Sequence, residues 1–99
     1  MKLKMEFAGH TIVSSSRARR VEGIWFVPPE DILSGILVPN DHHTFDEKNG
    51  YATWFDIDLN NRRAPNAAYT FPHPNIHLID VPGYIAIDPH RVDAFEVTS

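Results

Sequence analysis

Six histidines stand out in a chain of 99 residues. His42 and His43 follow Asp41, with Asp46 and Glu47 just beyond, and Pro-Asn-Ile separates His73 from His77. Imidazoles and carboxylates are the usual ligands of zinc and related divalent metals. His42, His43, His73 and His77 are therefore the candidate metal ligands. A divalent metal is the only cofactor they suggest, and nothing else in the chain calls for a cofactor. The spacing departs from that of a helical zinc site. Two histidines four apart share a face only on a helix, and Pro72 and Pro74 oppose one here. Adjacent His42 and His43 on a strand would point to opposite faces. A metal site thus needs separate segments brought together, and exposed loop histidines are the competing reading. Asp41-His42-His43 is also similar to the short signature of a phosphoesterase family. The α/β scaffold and further aspartates of such an enzyme do not fit into this chain, and that reading is rejected.

The arginines offer a different chemistry. Arg17, Arg19 and Arg20 form the one dense basic cluster, and Arg62 and Arg63 form a smaller one. Guanidinium forks bind phosphate and carboxylate well. If the two segments met, they would make an anion site, and aromatics such as Trp54 or Tyr69 would add stacking surfaces for bases. The competing reading is a solvated loop balancing acids such as Glu22 and Asp31. Trp54 also stands beside Asp56 and Asp58 on one face of a strand-like segment. Paired carboxylates can run acid–base chemistry or hold a cation, but an outward sheet face needs the same residues for solubility. An aromatic among charges is a plausible interface anchor. Ser14 to Ser16 lack the strand–turn–helix setting of a catalytic serine. The scattered glycines make no phosphate-binding loop.

These residues need a scaffold, and the chain reads as β throughout. Leu3, Met5 and Phe7 alternate with Lys2, Lys4 and Glu6, the period of a half-buried strand. Ala8-Gly9 turns it into a return strand over His10–Val13. Ser14 to Arg20 reads as polar and exposed. Val21–Val27 is a third strand, ended by Pro28-Pro29. Residues 29–34 are the one helix candidate, with proline and acids at its start and Gly35 at its end. Ile36–Val38 is a buried fragment closed by Pro39-Asn40. Asn49-Gly50 predicts a two-residue hairpin turn between strands at His43–Glu47 and Tyr51–Leu59. Ala67–Phe71 is a short strand. Ile76–Val81 and Tyr84–Asp88 flank a type II turn at Pro82-Gly83, and Val92–Val97 closes the chain.

Short strands separated by turn residues predict a mainly β fold: one domain over residues 1–99, a small antiparallel sandwich or partly open barrel. With 42% hydrophobic residues, including two Trp and six Phe, the chain can close a core. A net charge of -4 argues against coating of DNA. The lack of cysteine excludes disulfides, thiolate metal sites and a cysteine nucleophile. No apolar run has signal-peptide or membrane-span length, so the expected location is cytoplasmic, the cytoplasm of an infected host included. The leading functional expectation is a non-enzymatic binding or inhibitory module, of the kind found as phage or mobile-element accessory proteins. Its partner would be a host protein first, a nucleotide or nucleic acid second, and not a membrane. Arg17, Arg19, Arg20, Trp54, Arg62 and Arg63 are the residues expected to bind. The alternatives are a small metal-binding hydrolase and a homo-oligomeric virion subunit.

Overall fold

The computed structural model describes residues 1–73 and 81–99. Nine strands form two antiparallel sheets among these residues. They are β1 (Lys2–Phe7), β2 (His10–Ser15), β3 (Arg19–Val21), β4 (Ile24–Val27), β5 (Leu37–Asp46), β6 (Gly50–Leu59), β7 (Arg62–Thr70), β8 (Ile85–Ile87) and β9 (Ala94–Thr98). The smaller sheet has the order β2-β1-β9, and the larger the order β3-β4-β8-β7-β6-β5. The expected mainly β architecture is the one observed. His77, and all of the Ile76–Val81 strand except Val81, lie outside the described residues.

The alternation in β1 buries Leu3, Met5 and Phe7 and exposes Lys2, Lys4 and Glu6. Those three side chains, with Ile12 and Val13 of β2, meet Val27, Ile57, Ala68 and Ile85 of the larger sheet in the principal core. Each sheet thus supplies one apolar face to a shared interior, and burial of these groups is the main stabilising term. A second apolar cluster lies within the larger sheet. Phe26, Ala52, Phe71, Val81 and Ala86 are buried there, with Trp54 and Tyr69 packed against them.

Several sequence expectations need correction. Residues 29–34 form no α-helix: only Pro29–Asp31 make a 3-10 turn. Ile32 is drawn out of helical geometry by a bridge to Val13, and the Leu33 amide donates to the Ile12 carbonyl at 2.7 Å. The strand expected over Val21–Val27 is two strands, because Glu22 and Gly23 both take positive φ and reverse the chain. Pro39 does not close the Ile36–Val38 fragment. It lies inside β5, an edge strand, and the ladder shifts register between Pro39 and His43. A proline is tolerated at an edge or a bulge because its missing N–H leaves no ladder acceptor unpaired. The segment from Ser14 to Arg20 is not uniformly exposed, since Ser15 and Ala18 are buried.

Of the turns expected at Pro82-Gly83 and Asn49-Gly50, the first forms as expected and the second does not. Val81-Pro82-Gly83-Tyr84 closes with a Tyr84 N–H to Val81 carbonyl bond of 3.1 Å and a positive φ at Gly83, as a type II turn requires. At Asn49-Gly50 the loop is longer than expected. Asp46 pairs with Gly50, leaving Glu47, Lys48 and Asn49 between them. Gly50 takes φ 82°, the left-handed residue that ends a three-residue hairpin loop. Asp46 braces the turn, its carboxylate accepting from the Lys48 N–H at 2.8 Å and the Asn49 Nδ2 at 3.0 Å.

Candidate functional site

The sequence candidates fall in separate places. The Arg17 guanidinium donates to Asp31 Oδ1 at 2.8 Å and reaches Glu30 at 3.5 Å. Arg62 makes a two-pronged contact with Asp93 at 2.6 and 3.0 Å and lies over the Phe7 ring. Arg63 donates to Asp56 at 3.0 Å. Arg19 and Arg20 are on β3, and Arg20 lies over Trp25 at 5.7 Å from the ring centre. Arg17 and Arg62, one from each basic cluster, are held apart. Ser15 pairs with Leu3 and His10 with Phe7, so the Arg17 and Arg62 contacts lie toward opposite ends of the β1–β2 hairpin. At about 3.4 Å per residue the four steps from Leu3 to Phe7 span roughly 14 Å.

Two of the proposed chemistries prove structural. The Ser15 hydroxyl is 1% exposed, donates to Asp31 at 2.7 Å and accepts from the Arg17 N–H at 3.1 Å. The Arg17 and Ser15 hydrogen bonds hold the Asp31 carboxyl below its ordinary pKa. Asp56 is occupied by two neighbouring strands. Its Oδ1 accepts from Asn40 Nδ2 at 2.7 Å and the Asn66 N–H at 3.0 Å, while Oδ2 takes Arg63. The Asn66 and Asn40 donors lower its pKa. Among the described residues no three of His, Asp and Glu come together as a metal-holding group. His42 sits edge-on to Trp54 at 5.1 Å, and His43 pairs with Thr53 in the ladder.

Trp54 leads to a site that the sequence showed only in part. Ladder pairing places Trp54 of β6 opposite Tyr69 of β7, and Tyr69 opposite Ala86 of β8, which is itself opposite Phe26 of β4. The rings of Trp54 and Tyr69 are 4.7 Å apart. Small Ala86 leaves room above it, so Phe26 and Tyr69 meet edge-to-face across it at 6.4 Å. Phe71 packs against Tyr69 at 5.8 Å. The indole is fixed by its N–H, which donates to the Thr44 hydroxyl at 2.9 Å. Thr44 pairs with Ala52, two residues before Trp54, so this is a diagonal cross-strand contact.

These rings line a cavity of about 290 Å³. Val21 and Ile24 come to it from one edge of the larger sheet, Thr44 and Phe45 from the other. The sheet therefore curls over this face, consistent with its register shifts in β5 and β7. Lys48 and Glu22, from the loops at the two edges, meet at 3.7 Å and tie the rim. A neighbouring cavity of about 200 Å³ shares Ile24, Trp54 and Tyr69. The charged residues lining the two are Glu22, Asp46 and Asp88; among the described residues neither wall carries Lys or Arg. Burial, reinforced by Asp88 and Asp46, raises the pKa of the Tyr69 phenol, which stays protonated at neutral pH. The Lys48 N–H and Asn49 donors lower that of Asp46.

The match of a family to nearly the whole chain accords with this integrated architecture. Residues 1–98 match the family described as a domain of unknown function, DUF427. The chain belongs to that family. No curated protein matches it. The DUF427 match leaves the chemistry to be read from the site. Trp54 and Tyr69 were legible as stacking residues, but Phe26, Phe71, Asp46, Asn49 and Asp88 were not. Their sequence signal is weak, because an apolar residue on either face of a strand looks alike until the register is known. Among the described residues no helix is long and apolar enough to cross a membrane.

Proposed function

We propose that this chain is a non-enzymatic binding module whose ligand site is the aromatic cavity on the curled face of the larger sheet. The observation that carries the proposal is the Trp54–Tyr69 pair, 4.7 Å apart, inside a cavity of about 290 Å³. Ligand pockets characteristically combine apolar, aromatic walls with a few polar groups. At about 290 Å³ this cavity lies just below the roughly 300–1,000 Å³ of typical ligand pockets and suits a compact ligand. A fixed indole beside a phenol ring, tilted at 35°, provides an aromatic contact surface at low entropic cost. The proposal keeps Trp54 as a binding residue. Arg17, Arg62 and Arg63 serve the fold through Asp31, Asp93 and Asp56, and Arg19 and Arg20 on β3 are the arginines proposed for a partner surface.

Benzyl alcohol, benzylammonium and benzoate, titrated separately while the Trp54 indole N–H resonance is followed, test this reading. At least one ring probe is expected to shift that resonance with saturation, and Trp54→Phe should alter the affinity measured by calorimetry. Retention of the resonance position with all three probes, in protein shown to be folded, removes the cavity as the binding site.

A further inference from the structure

The larger cavity points to the charge of its occupant, an inference that rests on the binding reading above. Its wall joins aromatic faces to the carboxylates of Glu22 and Asp46. Asp88 adds a third carboxylate on the adjoining cavity, across the shared Tyr69 ring. Aromatic faces carry negative potential and attract cations, more strongly where water is excluded. The nearby Lys48 amine is engaged at the rim with Glu22, 3.7 Å away. Asp46 lies on the same wall, fixed by its own turn.

Asn49 supplies an independent observation. It lines the larger cavity and is only 9% exposed. Its Nδ2 donates to Asp46 Oδ2 at 3.0 Å, which fixes the orientation of the amide. Its Oδ1 is buried and accepts no hydrogen bond from the described residues. A buried acceptor without a donor is costly, and a donor brought by a ligand or a water would relieve it. What is needed at this place is therefore a donor rather than an acceptor. A phosphate or carboxylate brings only acceptors and negative charge, and would meet Glu22 and Asp46 unfavourably.

We infer that the cavity lined by Trp54, Tyr69, Phe26, Asp46, Glu22 and Asn49 binds a small organic ammonium ion bearing an apolar substituent. The substituent occupies the aromatic floor, the ammonium faces the carboxylates, and an N–H is directed toward the Asn49 side of the wall. Nucleotides and other phosphorylated ligands are disfavoured in this cavity by the same charges.

Benzylammonium, benzyl alcohol and benzoate share one ring and differ in charge, so their dissociation constants test the inference directly. Binding of benzylammonium at least ten-fold tighter than benzyl alcohol, with benzoate weakest, is the expected result. Glu22→Gln and Asp46→Asn should each reduce benzylammonium affinity several-fold, and by a clearly larger factor than they change benzyl alcohol affinity. Thermal melting identifies a variant that fails to fold, and the other then serves. Equal affinity for cation and alcohol, or preference for benzoate, overturns the charge inference while leaving the cavity as a binding site. Absence of any response at Trp54 overturns both readings.

Discussion

Asp56 accepts from Asn40 on β5 and from Asn66 and Arg63 on β7, so a single carboxylate joins three strands. The contacts sit where the β5–β6 and β6–β7 ladders shift register, and there backbone donors lack regular partners. Replacement by alanine leaves the partly buried Asn66 N–H without its acceptor and the Asn40 amide with only Asn66 Oδ1. Asp56→Ala is expected to cost about 2 kcal/mol, measured as a lower midpoint in urea, with Asp56→Asn recovering part of the loss. A catalytic or cation-holding role for this aspartate was open in the sequence. The coordination of both its oxygens by protein donors explains its presence without one. The same reasoning applies to Ser15, whose hydroxyl is spent on Asp31 and the Arg17 N–H.

The β5–β6 hairpin shows how one element builds the site. Its three-residue loop depends on Asp46 at the start and Gly50 in left-handed geometry at the end. An added Cβ at Gly50 meets the His73 carbonyl oxygen at an ordinary 3.5 Å, so space is not the constraint. The cost of Gly50→Ala comes from the positive φ, roughly 1 kcal/mol. Denaturant unfolding should report that loss, and an unchanged midpoint would show that the loop relaxes to another turn. Near the loop, Phe45 and Tyr51 stack at 4.9 Å while remaining 59% and 70% exposed. The hairpin thereby places Tyr51 on an outer surface and Thr44, Phe45 and Trp54 on the cavity wall. The 3-10 turn at Pro29–Asp31 illustrates the opposite case, a local helical tendency overridden by a bridge to β2.

At the scale of the whole molecule, carboxylates fasten distant parts of the chain. Asp31 links the first 3-10 turn to Arg17, and Asp93 links the approach to β9 with Arg62 and the Ala8 N–H. Hydrogen bonds to Arg62 and Ala8 lower the Asp93 pKa, as their own donors do for Asp31, Asp46 and Asp56. For a carboxylate with a depressed folded-state pKa, the stabilisation is present above the unfolded value of about 3.9. It is lost as pH falls through the lower folded-state value. The melting temperature is therefore expected to decline below about pH 4. Because Arg17 and Arg62 are largely solvated, added salt should shrink their share of this dependence. A melting temperature that rises on acidification to pH 3 would contradict the assignment.

Local chemistry in the sequence determined the β character, the burial of Leu3, Met5 and Phe7, and the Pro82-Gly83 turn. Alternation and turn residues act between neighbours in the chain, so they can be read without knowing the fold. Trp54 and Tyr69 were recognisable as stacking residues for the same reason: their side-chain chemistry is local. Tertiary structure decided which groups are free to use that chemistry. Ladder register put Ala86 between Phe26 and Tyr69, and curling of the sheet brought residues from its opposite edges to one cavity. Long-range pairing committed Arg17, Arg62 and Arg63 to particular aspartates, and packing left Asn49 Oδ1 buried without a donor among the described residues. These outcomes depend on contacts between segments far apart in sequence, where residue type indicates what a group can do but not whether a partner already holds it.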